Sequence, residues 1–171
     1  MLVLLKFYWD LCRLRAKPQD APASNALLVV TFAANLLVGG VVLGDTFGGS
    51  ARALVAALAD NLLLLGFVWL LLKWRGWLSR FVQSVTALLG SGALLALISF
   101  PLQMAMGPTP QQSSGGAWAG LLLLMLLVWI HLVMGHILRH TFNVPFGGGV
   151  LLAIGFNMVS ALLVQGALLS H

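Results

Sequence analysis

Five long apolar stretches dominate the hydrophobic pattern of the chain, and short polar or basic segments separate them. They cover residues 25–43, 51–72, 81–105, 117–139 and 150–170, with an uncharged loop predicted over 107–116. At about 1.5 Å per residue, a helix of about 20 residues crosses the roughly 30 Å of hydrocarbon in a bilayer. The pattern therefore predicts five membrane-spanning helices, and Pro101 is expected to kink the third near its exit.

Residues 1–17 combine apolar side chains with regularly spaced charges. Lys6, Asp10, Arg13 and Lys17 follow one another at intervals of four, three and four residues, which places them within about 60° of one another on a helix. We therefore predict an amphipathic helix that lies in the membrane interface, with its cations towards anionic lipid head groups. The alternative is a short helix packed on the bundle away from lipid. Because the charges interrupt the apolar run and no small-residue cleavage site follows, we expect this segment to be retained rather than removed as a signal peptide.

These elements predict an all-α fold in two parts, an interfacial helix with its linker over residues 1–24 and a transmembrane domain of five helices over residues 25–171. Composition agrees, because 60% of the residues are hydrophobic and 8% are charged, whereas a soluble domain carries about 25% charged residues. The single cysteine, Cys12, is expected to act as a small apolar side chain.

The basic residues predict how the chain is oriented in the membrane. Nine Lys and Arg face four acidic residues, and no Glu is present. Eight of the nine lie on one side of the predicted topology, in residues 1–24, in residues 73–80 and at Arg139, and only Arg52 lies on the other side. By the positive-inside rule the N terminus is cytoplasmic and the C-terminal His171 is outside, in a bacterial-type inner membrane. The same positions explain the net charge of +5 without a nucleic-acid partner.

Several polar residues fall within the predicted spans. Asp60 lies about 13 Å from the outer surface by helix-rise arithmetic, where a carboxylate costs at least about 2.5 to 3.5 kcal/mol. We expect it to face the bundle interior and to find polar partners there. The predicted intramembrane polar cluster consists of Asn35, Asp60, Asn61, His131 and Asn157. Two interpretations remain open, a structural group that orients the helices and a site for a proton or cation.

A second group of residues predicts a basic surface on the cytoplasmic side. Its members are Lys6, Arg13, Lys17, His136, Arg139 and His140. Anionic lipid head groups or a partner protein would bind there. His136 and His140 have the four-residue spacing by which two imidazoles can share a metal ion, but the neighbouring sequence offers no third ligand. We therefore predict neither a metal nor a cofactor.

No reaction signature stands out in the sequence. Ser91 and His131 could suggest an intramembrane serine protease, but the Gly-x-Ser-Gly pattern of rhomboid proteases requires a glycine where this chain has Leu89. The absence of Glu also excludes the paired-glutamate motif of membrane-embedded CAAX-type metalloproteases. The protein is accordingly predicted not to be an enzyme.

The stretch from His136 to Val150, followed by Gly155 and Phe156, resembles a region of the Yip family of membrane proteins. The shared features are a basic end of the fourth span, a short glycine-containing turn, and a glycine–aromatic pair in the fifth span. The resemblance implies five close-packed spans and a non-enzymatic role through membrane partners; eukaryotic members engage Rab GTPases and trafficking factors.

Together these observations predict a small integral membrane scaffold or accessory subunit that binds other membrane proteins, in a hetero-complex or homo-oligomer. The alternative is a subunit of a transporter or channel that handles a proton or cation through Asp60, with Asn35, Asn61 and Asn157.

Overall fold

The computed structural model describes residues 2–106 and 116–169, and all regular structure within them is helical. Six α-helices follow one another in the order α1 Leu2–Cys12, α2 Asn25–Val42, α3 Ser50–Arg75, α4 Phe81–Met106, α5 Gly116–Phe142 and α6 Phe146–Leu169. Short 3-10 turns at Pro18–Asp20 and Leu78–Arg80 precede α2 and α4. Helices α2 to α6 are each long and apolar enough to cross a membrane. The predicted all-α bundle of five spans is confirmed, whereas most of the predicted 107–116 loop and the C-terminal His171 lie outside the described residues.

Local sequence explains where several helices begin and end. The Ser24 hydroxyl caps α2 by accepting a hydrogen bond from the Leu27 backbone N–H, at 3.3 Å. Gly76 ends α3 with a left-handed backbone, φ 72°, which a glycine adopts at little cost. Helix α5 continues to Phe142, beyond the predicted end at Arg139, and the left-handed residue Asn143 then turns the chain towards α6.

Helix α4 is the centre of the bundle. In an apolar 18-residue stretch of α4, 56% of the residues are buried, against 28% or less in the corresponding stretch of each of the other four spans. Ser84 to Ser91 form an unbroken buried run, so α4 is enclosed on all sides along this part. A helix that is apolar around its whole circumference belongs in such a position.

Helix α1 packs along the side of the bundle. The ring of Tyr8 occupies the space where a side chain at Gly90 of α4 would lie, and Leu11 is fully buried. Leu4 shares a groove with Val38 of α2 and Leu97 of α4. Since Leu97 lies about 24 Å along α4 from Phe81, α1 extends towards the far end of the bundle. The notch at Gly90 and the apolar face of α1 favour the alternative interpretation, a helix packed on the bundle, and the predicted position in the membrane interface stays a prediction.

The predicted stripe of four charges is also interrupted. Helix α1 ends at Cys12, and the left-handed residue Leu14, φ 60°, redirects the chain. Lys6 and Asp10 therefore lie on the helix, whereas Arg13 and Lys17 follow it.

Cys12 provides a test of this packing. The side chain is 4% exposed, and burial raises the pKa of its thiol to about 11. Because the thiolate is the reactive form, we expect Cys12 to react with a maleimide at least about tenfold more slowly than a cysteine at the exposed position 13 in a Cys12→Ser, Arg13→Cys variant. Mass spectrometry of the labelled protein measures both rates. Equal rates would show that α1 is detached from α4.

Helices α5 and α6 approach closely at two glycines. A Cβ atom added to Gly149 would overlap the carbonyl oxygen of Gly135 and lie 2.9 Å from the backbone nitrogen of Arg139. A Cβ added to Gly135 would lie 2.8 Å from the Cα atom of Val150. Small residues permit such backbone contact between membrane helices, and this contact sets the position of α6 beside α5.

Candidate functional site

Four of the five residues predicted to form an intramembrane polar cluster lie around one cavity. Asn35 of α2, Asp60 and Asn61 of α3, and Asn157 of α6 line a cavity of about 130 Å³. Asn35, Asp60 and Asn157 also line a second cavity of about 200 Å³. Three separate helices thus bring amide and carboxyl groups together within the membrane-spanning part of the bundle.

Asp60 is anchored by a residue that was not predicted. The hydroxyl of Ser160 on α6 donates a hydrogen bond to Oδ1 of Asp60, and Ser160 is 3% exposed. The expected partners of Asp60 were the three asparagines, of which Asn35 and Asn157 form other hydrogen bonds. Ser160 lies three residues after Asn157 and so on the same helix face, but the sequence does not show that this face meets Asp60.

The side-chain nitrogens of Asn35 and Asn157 are held by backbone carbonyls. Nδ2 of Asn35 donates to the Leu89 carbonyl at 3.0 Å, and Nδ2 of Asn157 donates to the Ala153 carbonyl at 2.9 Å. A carbonyl oxygen can only accept, so these contacts determine the orientation of both amides. The Oδ1 atom of each amide is then the atom that remains to accept a hydrogen bond from, or to bind, a partner in the cavities.

Asn61 is buried without a full set of hydrogen bonds. The residue is 1% exposed, and its Nδ2 has no hydrogen-bond partner in the described part of the chain. An unsatisfied buried donor costs about 1 to 3 kcal/mol. A 130 Å³ cavity has space for about four water molecules at roughly 30 Å³ each. The polar residues within its lining and the uncommitted donor favour a hydrated cavity over a dry one.

His131 does not join the cluster. Its Nδ1 is 2.8 Å from the Leu127 carbonyl one turn earlier in α5. Ile130, Val133 and Met134 of the same helix line the cavity instead. His131 lies between these residues in sequence, but one residue corresponds to about 100° of helix rotation. The predicted depth of His131 in the membrane was close to that of Asp60. His131 nevertheless lies on a face of α5 that does not line the cavity.

The predicted basic surface is divided by the packing. His136 is 7% exposed, and its Nε2 lies 3.0 Å from the carbonyl oxygen of Ala16. Its ring meets that of His140 edge-on at 4.8 Å between centroids. His140 is partly exposed and lies within electrostatic range of Lys17 and Arg139. His136 therefore attaches the N-terminal segment, and the basic surface at this end of α5 is formed by Lys17, Arg139 and His140.

Lys6 and Arg13 are exposed, and the membership of Arg13 in that surface stays a prediction. Lys6 belongs to α1, which extends along the bundle away from Lys17. Within the described residues, no group of three His, Cys, Asp or Glu side chains could hold a metal ion.

Further side chains hold the segment between α1 and α2 against the bundle. Gln83 of α4 donates to the Ala21 carbonyl at 2.9 Å, and Trp129 of α5 donates to the Cys12 carbonyl at 3.0 Å. Gln19 donates to the His140 carbonyl at 2.8 Å. Residues 12–21 are thus part of the folded structure, because their carbonyls and side chains bond to α4 and α5.

Comparisons with protein-family models, with curated proteins and with solved structures found no match, so the proposals that follow rest on the residues and geometry described above.

Proposed function

We propose that this protein is a proton- or cation-handling subunit of a membrane transporter or channel. The observation that carries the proposal is the position of Asp60, which lines two cavities between membrane-spanning helices; each contains several polar residues among apolar ones, and we call them the polar cavities. Ionisable groups at such depth are costly and typically serve ion or proton pathways. This function was the alternative on sequence grounds, and the cavities now favour it.

The chemistry of the lining supports a proton or a hard monovalent cation. Besides the carboxyl group, the cavities offer amide oxygens from Asn35 and Asn157, whose nitrogens are already bonded. Oxygen donors of this kind suit hard cations. A proton would reside on Asp60 and exchange with water in the cavity. Flux of protons and alkali cations into proteoliposomes, compared between the wild type and Asp60→Asn, tests the proposal.

A scaffold or accessory subunit is the second candidate. It is favoured by a wide apolar groove of about 900 Å³ between α3 and α6, a surface that other membrane proteins could contact, and by the Yip-family resemblance, which stays a prediction. Affinity purification in mild detergent followed by mass spectrometry discriminates this candidate. A stoichiometric partner together with an absence of flux would favour it.

A non-enzymatic role fits the surroundings of the two residues that suggested a protease. The Ser91 hydroxyl donates to the Ala87 carbonyl at 2.8 Å, and the His131 ring bonds to the Leu127 carbonyl. Each side chain is therefore engaged with its own helix, an arrangement that does not activate a serine nucleophile.

We further propose a bacterial-type inner membrane with the N terminus in the cytoplasm. The basic connector after α3 supports this orientation: Lys73 lies 4.6 Å from the centroid of the Trp69 ring, and Arg80 lies 4.8 Å from that of Trp77. Tryptophan is enriched at both membrane interfaces, and an excess of Lys and Arg marks the cytoplasmic one.

Cysteine labelling tests the orientation. In a Cys12→Ser background, we expect a cysteine at exposed position 46, between α2 and α3, to react with an impermeant maleimide added to intact cells. A cysteine at exposed position 75, at the end of α3, should stay unlabelled until the membrane is opened, because it is on the cytoplasmic side. The opposite labelling pattern would reverse the proposed topology.

A further inference from the structure

The surface between α3 and α6 contains a wide groove at membrane level. Its volume is about 900 Å³, and all of its lining belongs to these two helices. Ala59 and Gly66 on α3 and Gly155 and Ala167 on α6 contribute small side chains or none. A Cβ atom added to Gly66 or to Gly155 would meet no atom within 4 Å. The small residues therefore leave open space between two helices that contact each other elsewhere.

The groove differs in chemistry from the polar cavities. Its lining is apolar apart from the hydroxyl of Ser160. Sites for small organic molecules have volumes of about 300 to 1,000 Å³ and combine apolar walls with a few polar groups. The groove fits this description, whereas an inorganic ion would find almost no ligands there. An occupant must therefore be largely apolar.

Ser160 joins the groove to the Asp60 site. It lines both the groove and the 200 Å³ cavity, and its hydroxyl donates to Asp60. Asp60 does not line the groove itself, but it lines both polar cavities and bonds to the groove residue Ser160; among the described residues that line these three spaces it is the only charged side chain. A carboxylate at this depth is stabilised by an opposite charge close to it. An occupant that is apolar in bulk and carries one positive charge would match both the groove and the adjoining carboxylate.

We propose that the groove between α3 and α6 binds a lipophilic organic monocation that enters sideways from the bilayer and places its charge beside Ser160 and Asp60. This inference rests on the proposed function, since it uses the same carboxyl group, and it specifies the class of substrate. A cation already dissolved in the bilayer reaches the groove directly from the lipid. A cation in water would first have to pass the apolar surface of the protein. Exchange of a proton on Asp60 for the organic cation would couple movement of protons to movement of the organic cation.

The test uses radiolabelled tetraphenylphosphonium and the purified full-length protein in lipid nanodiscs. We expect saturable binding of one cation per chain. Gly155→Leu and Gly66→Leu, which fill the groove, should each weaken binding at least about tenfold. Gly166→Leu is the matched control, since a Cβ at Gly166 also meets no atom within 4 Å but the residue does not line the groove; it should bind like the wild type. Thermal unfolding of every variant verifies that the fold is retained.

Two further samples test the requirement for charge. Asp60→Asn should weaken tetraphenylphosphonium binding at least about tenfold, because the carboxylate is the attracting group. Tetraphenylborate, of the same shape and opposite charge, should not bind when it is measured separately. Equal binding of the two ions, or full binding by Asp60→Asn, would indicate a merely apolar occupant such as a lipid chain and would overturn the inference. Absence of wild-type binding, or equal binding by the groove variants and the Gly166→Leu control, would also overturn it.

The outcome is separable from the test of the proposed function. If Asp60-dependent proton or alkali-cation flux is measured while tetraphenylphosphonium does not bind, the groove inference fails and the proposed function stands. If the organic cation binds in an Asp60-dependent manner but no flux occurs, the binding site stands and transport fails.

Discussion

Asp60→Asn is expected to abolish proton or cation flux while leaving the stability of the bundle almost unchanged. The amide has nearly the shape of the carboxyl group, and its oxygen can still accept the hydrogen bond from Ser160. It cannot release a proton or supply a negative charge, so the transport step loses its essential group. The measurement pairs flux in proteoliposomes with thermal unfolding in detergent, and we expect flux to fall more than about tenfold, by analogy with loss of an acid–base group.

Asp60→Leu is the control for structure. Leucine leaves the Ser160 hydroxyl without its acceptor, so stability should decrease, but only modestly, since polar contacts between membrane helices contribute about 0.6 kcal/mol on average. Flux retained in Asp60→Asn would contradict the proposed function. Flux lost from both variants, with stability lost only from Asp60→Leu, would separate the role of the charge from the role of the hydrogen bond.

Gly149→Ala is expected to destabilise the protein more than any other substitution considered for stability. The added methyl group would overlap the carbonyl oxygen of Gly135 and lie 2.9 Å from the Arg139 nitrogen. Both are backbone atoms within α5 and cannot move independently of that helix. Overpacking of this kind typically costs about 1 to 3 kcal/mol. We therefore expect the midpoint of thermal unfolding in detergent to decrease by about 2 to 12 °C.

Gly147→Ala, two residues earlier in the same helix, is the matched control. A Cβ at Gly147 meets no atom within 4 Å. Alanine is favoured over glycine within a helix by about 1 kcal/mol, so this variant should be as stable as the wild type or slightly more stable. If the two alanine variants unfold at the same temperature, α5 and α6 do not approach each other closely at Gly149.

The polar cluster shows both what a linear sequence contains and what it lacks. Asn35, Asp60, Asn61 and Asn157 were predicted to face the interior because a membrane penalises polar groups that contact lipid, and all four line one cavity. Their hydrogen bonds were not predictable. Which groups pair depends on which helices are neighbours and on how each is rotated about its axis. The spacing of residues within one helix specifies neither which helices are neighbours nor how each helix is rotated.

Helix α1 illustrates the same limit. Its sequence is apolar on most sides, a pattern compatible with lying in the interface or with packing on the bundle. The notch at Gly90 that accepts Tyr8 belongs to α4, about 80 residues away in the chain. Such complementarity between distant segments appears only when the bundle is assembled.

The sequence by itself determined the membrane class, the five spans and the residues that must avoid lipid. These features depend on the transfer of individual side chains between water and hydrocarbon, an energy that is additive along the chain and visible residue by residue. Tertiary structure alone decided that Ser160 bonds to Asp60, that His131 stays outside the cluster, and that an apolar groove opens between α3 and α6. These features depend on helix rotation and helix contact, because directional hydrogen bonds and close packing require specific neighbours rather than a given composition.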